Sequence, residues 1–235
     1  MGEATGNSSV AIGGTASYRS QAGDSAVALS GGIATQSRSM AGPWSYASGN
    51  EATAFSIGNR TSTYGSQGYW SIAMGYRAKA QNSYSVCIGA DNIANAQSSV
   101  AVGGGGNYAQ AQYASSFGGF ENYALAEGAT CLRGHYNRAD GEYSVAAGAR
   151  SNVRTIYGRS VYASGRFSSN GDAQGSKYIL RGATTNASAK ILTTNNSAAA
   201  ATNQVVAFTD TCVMFSVPGK PLTIFIGLLI FQRPR

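Results

Sequence analysis

One phrase recurs through most of this chain, and its step limits the folds available. Ser85-Val86-Cys87-Ile88-Gly89 is answered fourteen residues later by Ser99-Val100-Ala101-Val102-Gly103. Further copies read Ser9-Val10-Ala11-Ile12-Gly13, Ala26-Val27-Ala28-Leu29-Ser30, Ala54-Phe55-Ser56-Ile57-Gly58 and Ser71-Ile72-Ala73-Met74-Gly75. Beyond the first pair come Ala114-Ser115-Ser116-Phe117-Gly118, Thr130-Cys131-Leu132-Arg133-Gly134 and Ser144-Val145-Ala146-Ala147-Gly148. From Gly75 onward the closing glycines step by 14, 14, 15, 16 and 14. A near-constant step with small insertions describes stacked coils with turns of variable length.

A second phrase lies between the first ones: Ala78-Lys79-Ala80-Gln81, Ala94-Asn95-Ala96-Gln97, Ala109-Gln110-Ala111-Gln112, Ala124-Leu125-Ala126-Glu127. Both phrases alternate with period two, the signature of strands. Glycine, Asn and Asp between them supply the left-handed backbone that tight turns need. Each coil therefore predicts two short strands and two turns, one rung of a solenoid that buries its apolar atoms by stacking on the next. Helix is excluded here, because no 3.6-residue periodicity appears and glycine recurs too often. Charged residues make up 11% of the chain and glycine accounts for 31 of its 235 residues. That composition suits thin layers of small side chains. With Val and Ile on one strand face and Ser and Ala on the other, the small faces are expected to pack between chains, giving a homo-oligomer, a trimer.

These repeats resemble the head of the YadA-type trimeric adhesins over about residues 8–152. The resemblance implies a left-handed parallel β-roll, three chains side by side, used for adhesion. That family also carries a secretion leader, a coiled-coil stalk and a membrane barrel. Met1 leads into polar residues, no heptad stretch follows, and the segment after Val217 is too short for four barrel strands. The same head repeats occur in bacteriophage tail fibres and tailspikes, and residues 158–195 are similar to segments that follow the repeats there. The expected organisation is a YadA-like β-roll over 1–152, a linker over 153–176, and a small β-rich region over 177–235. That last region holds strand-like runs at Lys177–Arg181, Ala189–Thr193 and Gln204–Phe208. It ends in an apolar tail, Leu222–Phe231, that is too short to span a membrane.

The net charge of +7 comes from scattered basic residues, so no nucleic-acid arm is expected. Cys87, Cys131 and Cys212 read as small core residues rather than as a disulfide framework or a reactive set. His135 is the single histidine, which removes His-pair metal sites and leaves no catalytic triad to assemble. Gly103–Gly106 resembles a phosphate loop only superficially, because a strand phrase follows it where a helix is required. Asp140 and Glu142 read as solvated turn residues, and so a polysaccharide-cleaving pair is not assigned. The chain is expected to be non-enzymatic, without cofactor or metal.

Equivalent residues of a solenoid stack into ladders, and here those ladders carry aromatic rings and arginines that can stabilise the roll by stacking or contact a sugar. The candidate glycan or receptor contacts are Arg60, Trp70, Tyr76, Arg77, Tyr84, Phe120, Tyr136 and Arg150. The resemblance implies a virion tail, extracellular location, with other tail proteins and a host-surface polysaccharide or receptor as partners. A detached head of a bacterial surface adhesin and a polysaccharide-degrading tailspike are the alternatives.

Overall fold

The computed structural model describes residues 2–58, 61–182 and 191–204. Among these there is no helix; the chain winds into a β-solenoid of about 11 coils. Each coil contributes one strand to each of two walls. One wall is a 10-stranded sheet of two-residue strands, from Glu3–Ala4 to Arg138–Ala139. The other is a 12-stranded sheet of longer strands, beginning at Val10–Ile12. Every pairing between successive coils is parallel, and the two copies of the repeated phrase lie on each other as Val86 beside Val100, Cys87 beside Ala101 and Ile88 beside Val102. The step of the repeat is thus the perimeter of one coil.

The interior is built almost entirely of the smallest side chains. Ala54, Ala73, Cys87, Ala101 and Cys131 line one wall and Ala34, Ala80, Ala94, Ala109 and Ala124 the other, all fully buried. Ile57, Val153 and Ile156 are the largest apolar side chains buried to the same degree. The expectation that small faces pack between chains is reversed by this arrangement. Alternation fixes which residues share a face but not which face turns inward, and two walls joined by such short turns leave room along the strands almost only for Ala, Ser and Cys. The larger Val, Ile, Met and Leu side chains therefore point outward, where Ile12 is 60% exposed, Leu132 42% and Met74 40%.

Three readings of register change. The copy at Thr53-Ala54-Phe55 pairs with Ile72-Ala73-Met74, so the phrase taken from Ala54 to Gly58 stands two residues out of step. Thr130-Cys131-Leu132 pairs with Val145-Ala146-Ala147, so Arg133, not Gly134, occupies the closing position. The apparent steps of 16 and 14 were a one-residue slip, which inverts a strand's faces. A coil passed over in the sequence holds Met40–Ala41 and Tyr46–Ala47.

The roll does not stop at residue 152. Within the segment 153–176, expected as a linker, Ser160–Ser164 continues the large sheet in parallel and Gln174–Lys177 closes it in antiparallel. Arg159 is buried between them, donating to the Val153 carbonyl at 2.9 Å and the Ser176 hydroxyl at 2.6 Å, and burial holds its pKa below the usual arginine value. The intervening loop is tied by Asp172, whose carboxylate accepts the backbone N–H groups of Phe167, Ser168 and Ser169 at 2.7–2.9 Å. Those bonds favour the ionised form and pull its pKa to about 2. In the expected C-terminal region, Arg181 and Thr193 form an antiparallel bridge. Most of the run Gln204–Phe208, the tail Leu222–Phe231 and Cys212 lie outside the described residues.

Between the two sheets, on the second turn of four successive later coils, stands a buried polar column that the sequence reading missed. Asn92, Asn107, Asn122 and Asn137 are fully buried and stacked. Each side-chain carbonyl accepts the backbone N–H of the residue one coil above, as Asn107 to Asn92 at 2.9 Å and Ser151 to Asn137 at 3.0 Å. Each amide donates to a carbonyl four residues back and to one in the next coil, as Asn137 to Arg133 at 2.8 Å and to Gly148 at 2.7 Å. A buried turn carbonyl left unpaired costs about 1–3 kcal/mol, so this column is what allows the turns to be buried and stacked. Its signal was in the sequence: Asn precedes the second phrase at a constant place in four successive coils.

Candidate functional site

Two turns per coil produce two columns of turn residues along the two edges of the roll. Each of these turns holds at least one residue with a left-handed backbone. Along the first edge these are Trp70, Tyr84, Ser98, Tyr113, Gly128 and Tyr143, with φ of 51° at Trp70 and 60° at Tyr84. Along the second they include Trp44, Arg77, Asp91, Glu121, Tyr136 and Arg150, with φ of 57° at Tyr136 and 67° at Arg150. For a non-glycine residue that conformation costs roughly 1–2 kcal/mol.

The candidate residues divide between these edges. Trp70 and Tyr84 lie on the first, stacked with ring centroids 5.1 Å apart and planes 21° from parallel. Trp70 also donates its indole N–H to Glu51 at 2.6 Å, and Glu51 pairs with Arg38 at 2.7 Å. At the far end of this edge the Tyr143 hydroxyl donates to Glu127 at 2.8 Å, and that bond to a carboxylate raises the phenol's pKa.

Tyr76, Arg77, Phe120, Tyr136 and Arg150 lie on the second edge, in two clusters. Arg77 donates to the Tyr64 hydroxyl at 2.7 Å and pairs with Asp91 at 3.2 Å; these contacts, Tyr64 first, raise its pKa. Its guanidinium lies 5.1 Å from the Tyr64 ring centre and 5.8 Å from that of Tyr76. Three coils and more along the axis, the Arg150 guanidinium sits 4.8 Å from the Tyr136 ring, and Phe120 meets that ring edge-on at 6.1 Å. Arg60 lies outside the described residues. The rings thus stack on one another and still keep a large exposed surface: Tyr76 is 57% exposed and Tyr84 50%.

Two aromatic features escaped the sequence reading. Tyr108 and Tyr123 stack face to face, 5.0 Å apart and 8° from parallel, on the small sheet. Tyr18 and Trp44 meet at 4.7 Å beside a cleft of about 280 Å³ that is also lined by Gly14, Thr15, Ser30 and Gly31. Trp44 belongs to the coil whose phrase was passed over, so its turn position was not recognised.

Three further reactive groups, Cys87, Cys131 and Asp140, are committed to structure. Burial pushes the thiols of Cys87 and Cys131 up to about 12, and Cys87 donates to the Asn92 carbonyl at 3.0 Å. Asp140 pairs with Arg138 at 2.9 Å and accepts the Thr155 N–H at 2.9 Å. Gly104, in the four-glycine run, has φ of 58°, and a Cβ there would fall 1.7 Å from the Gly119 carbonyl; the run is a coil in close contact with its neighbour, followed by the strand Tyr108–Ala109. Among the described residues no three His, Cys, Asp or Glu side chains gather into a metal-binding group, and no helix is long and apolar enough to cross a membrane. No protein-family model matches the chain, and no curated protein matches its sequence. The reading of the site therefore rests on this geometry.

Proposed function

We propose that this chain is a non-enzymatic structural and receptor-binding protein that acts as a trimer: a bacteriophage tail-fibre or tailspike segment with a YadA-like head, attaching to a host-surface glycan. The observation that carries the reading is the inverted burial. The interior is filled by Ala, Cys and Ser, while Val10, Ile12, Met40, Ile72, Met74, Phe117 and Leu132 form an outward apolar ridge on the 12-stranded sheet, each more than a third exposed. A ridge of that length calls for cover, and further copies of the same chain, placed side by side, supply it in register. The turn edges then remain outside, with aromatic rings to stack on sugars and Arg, Asn and Gln to bind hydroxyls. Three identical edges convert weak contacts into avidity.

Light scattering on the purified chain is expected to give three times the chain mass, and the pair Ile72→Glu with Met74→Glu one chain mass. Binding of the monomeric variant to host cells or extracted surface polysaccharide is expected to fall by about a hundredfold or more. A single-chain mass for the unaltered protein refutes the trimer and the avidity mechanism together.

A further inference from the structure

The first edge of the roll contains a ladder of rings with one rung missing. Trp70 stacks on Tyr84 one coil away. The next coil places Ser98 at the same position, and the coil after it Tyr113. The spacing is set by the backbone, because each of these residues donates its N–H to the coil before it: Tyr84 to Tyr69 at 2.8 Å, Ser98 to Ser83 at 3.0 Å, Tyr113 to Gln97 at 3.2 Å. Successive coils stand about 4.8 Å apart, so the Tyr84 and Tyr113 positions are about 9.6 Å apart. That is too far for two rings to stack, whose centroids prefer about 4.5–7 Å. A third ring at the midpoint would lie about 4.8 Å from each.

The same gap recurs further along and is closed there by the protein itself. Gly128 takes the place of Ser98, and the ring of Tyr143 leans over it, so that a Cβ on Gly128 would come within 2.6 Å of the ring. Glu127 fixes that ring by its hydroxyl at 2.8 Å. Ser98 carries the Cβ that Gly128 lacks, the atom that would meet a ring leaning as Tyr143 does. Beside the gap, Gln97 and Gln112 are exposed, with their amides 3.3 Å apart, and Asn82 and Ser83 complete an uncharged rim.

We infer that the gap over Ser98 is a slot for one uncharged sugar ring, held edge-in between Tyr84 and Tyr113 with its hydroxyls bound by Gln97 and Gln112. This rests on the glycan-binding reading above and narrows it to a terminal or branch pyranose, since a ring inserted from the edge admits one residue and not a continuous chain. The C–H faces of a pyranose match the two aromatic walls. A rim of amides and hydroxyls gives a sugar acid no charged partner.

The probe is a panel of methyl pyranosides (gluco, galacto, manno, rhamno and N-acetylglucosaminyl) with glucuronate and sialate as charged members, followed by ligand-observed NMR and by Trp70 fluorescence in the full chain carrying Trp44→Phe. At least one uncharged pyranoside is expected to bind and the acids not to. Tyr113→Ala is expected to weaken binding about tenfold, the loss of one aromatic contact. Ser98→Tyr is expected to abolish it by restoring the missing rung. Tyrosine already adopts this backbone at Tyr84 and Tyr113, and continued protection of Cys87 and Cys131 from alkylation reports that the variant is folded. Binding that survives in folded Ser98→Tyr, preference for the acids, or no binding by any pyranoside overturns the slot. If Ser98→Tyr still coats host cells like the unaltered trimer, the slot falls and the adhesion reading stands; if the unaltered trimer fails to bind cells or polysaccharide, the reading itself falls.

Discussion

The coils between residues 79 and 152 and those between 3 and 58 share one interior but support their second turn differently. In the later coils four asparagines form a continuous buried column, each bonded to two carbonyls and to the backbone N–H one coil above. In the earlier coils the same place is held by Ser20, Gly32 and Ser45. Ser20 reaches the Ile12 carbonyl and the Gly31 N–H at 2.9 Å, and Ser45 reaches the Pro43 carbonyl at 3.0 Å and the Ile57 N–H at 3.2 Å. A hydroxyl bonds fewer partners than an amide and has a shorter reach. The early coils follow one another at irregular steps of eighteen, twelve and thirteen residues, the later ones at fourteen and fifteen. One interior thus accepts two turn designs, and regularity of step follows the polar column rather than the apolar phrase.

Four measurements bear on that contrast, in falling order of effect. Asn122→Ala removes the acceptor of the Asn137 N–H and the donor to the Gly118 and Gly134 carbonyls. It is expected to cost about 4 kcal/mol in denaturant unfolding, against about 1 kcal/mol for Ser45→Ala. Equal losses would erase the distinction between the two halves. Ala34→Leu and Ala101→Leu are each expected to cost about 3 kcal/mol or more, because both positions are fully buried between the walls. A mild effect at Ala34 alone would mean that the interiors differ after all.

The third test uses alkali. The thiols of Cys87 and Cys131 titrate near 12 when folded and near 9 when exposed, so above pH 9 the unfolded chain binds fewer protons. Stability is therefore expected to fall as pH rises from about 9 toward about 12, and the fall to shrink in a Cys87→Ala, Cys131→Ala variant. Since both thiols lie in later coils, hydrogen exchange is expected to open those coils first; earlier opening of residues 3–58 would contradict this. The smallest effect belongs to the closing position. Arg133 holds φ of 53° where neighbouring coils have glycine, so Arg133→Gly is expected to stabilise by about 0.5 kcal/mol in thermal melts.

The copies that were misread show where sequence reasoning fails. At Thr130–Gly134 the eye aligned glycine with glycine, yet Arg133 occupies that turn, because a left-handed position tolerates a side chain when both neighbouring coils hold it there. At Met40–Ala41 a two-residue strand was too short to register as a phrase, and Trp44 was lost with it. The candidate site was legible as ladders, because a constant step guarantees that equivalent residues stack. That the ladders run along two separate edges, with Trp70 and Tyr84 on one and Tyr136 and Arg150 on the other, follows from where the strands end.

By itself the sequence determined that the chain is a stack of coils, how many residues the later coils take, and that aromatic rings and arginines recur at its turns. Those are properties of period, and period survives without coordinates. Only the tertiary structure decided which strand face turns inward. Alternation makes the two faces equivalent in sequence, and the closeness of two walls joined by short turns breaks the tie in favour of alanine. The same closeness put Val, Ile and Met outside, buried the asparagines, and left Tyr84 and Tyr113 one missing ring apart.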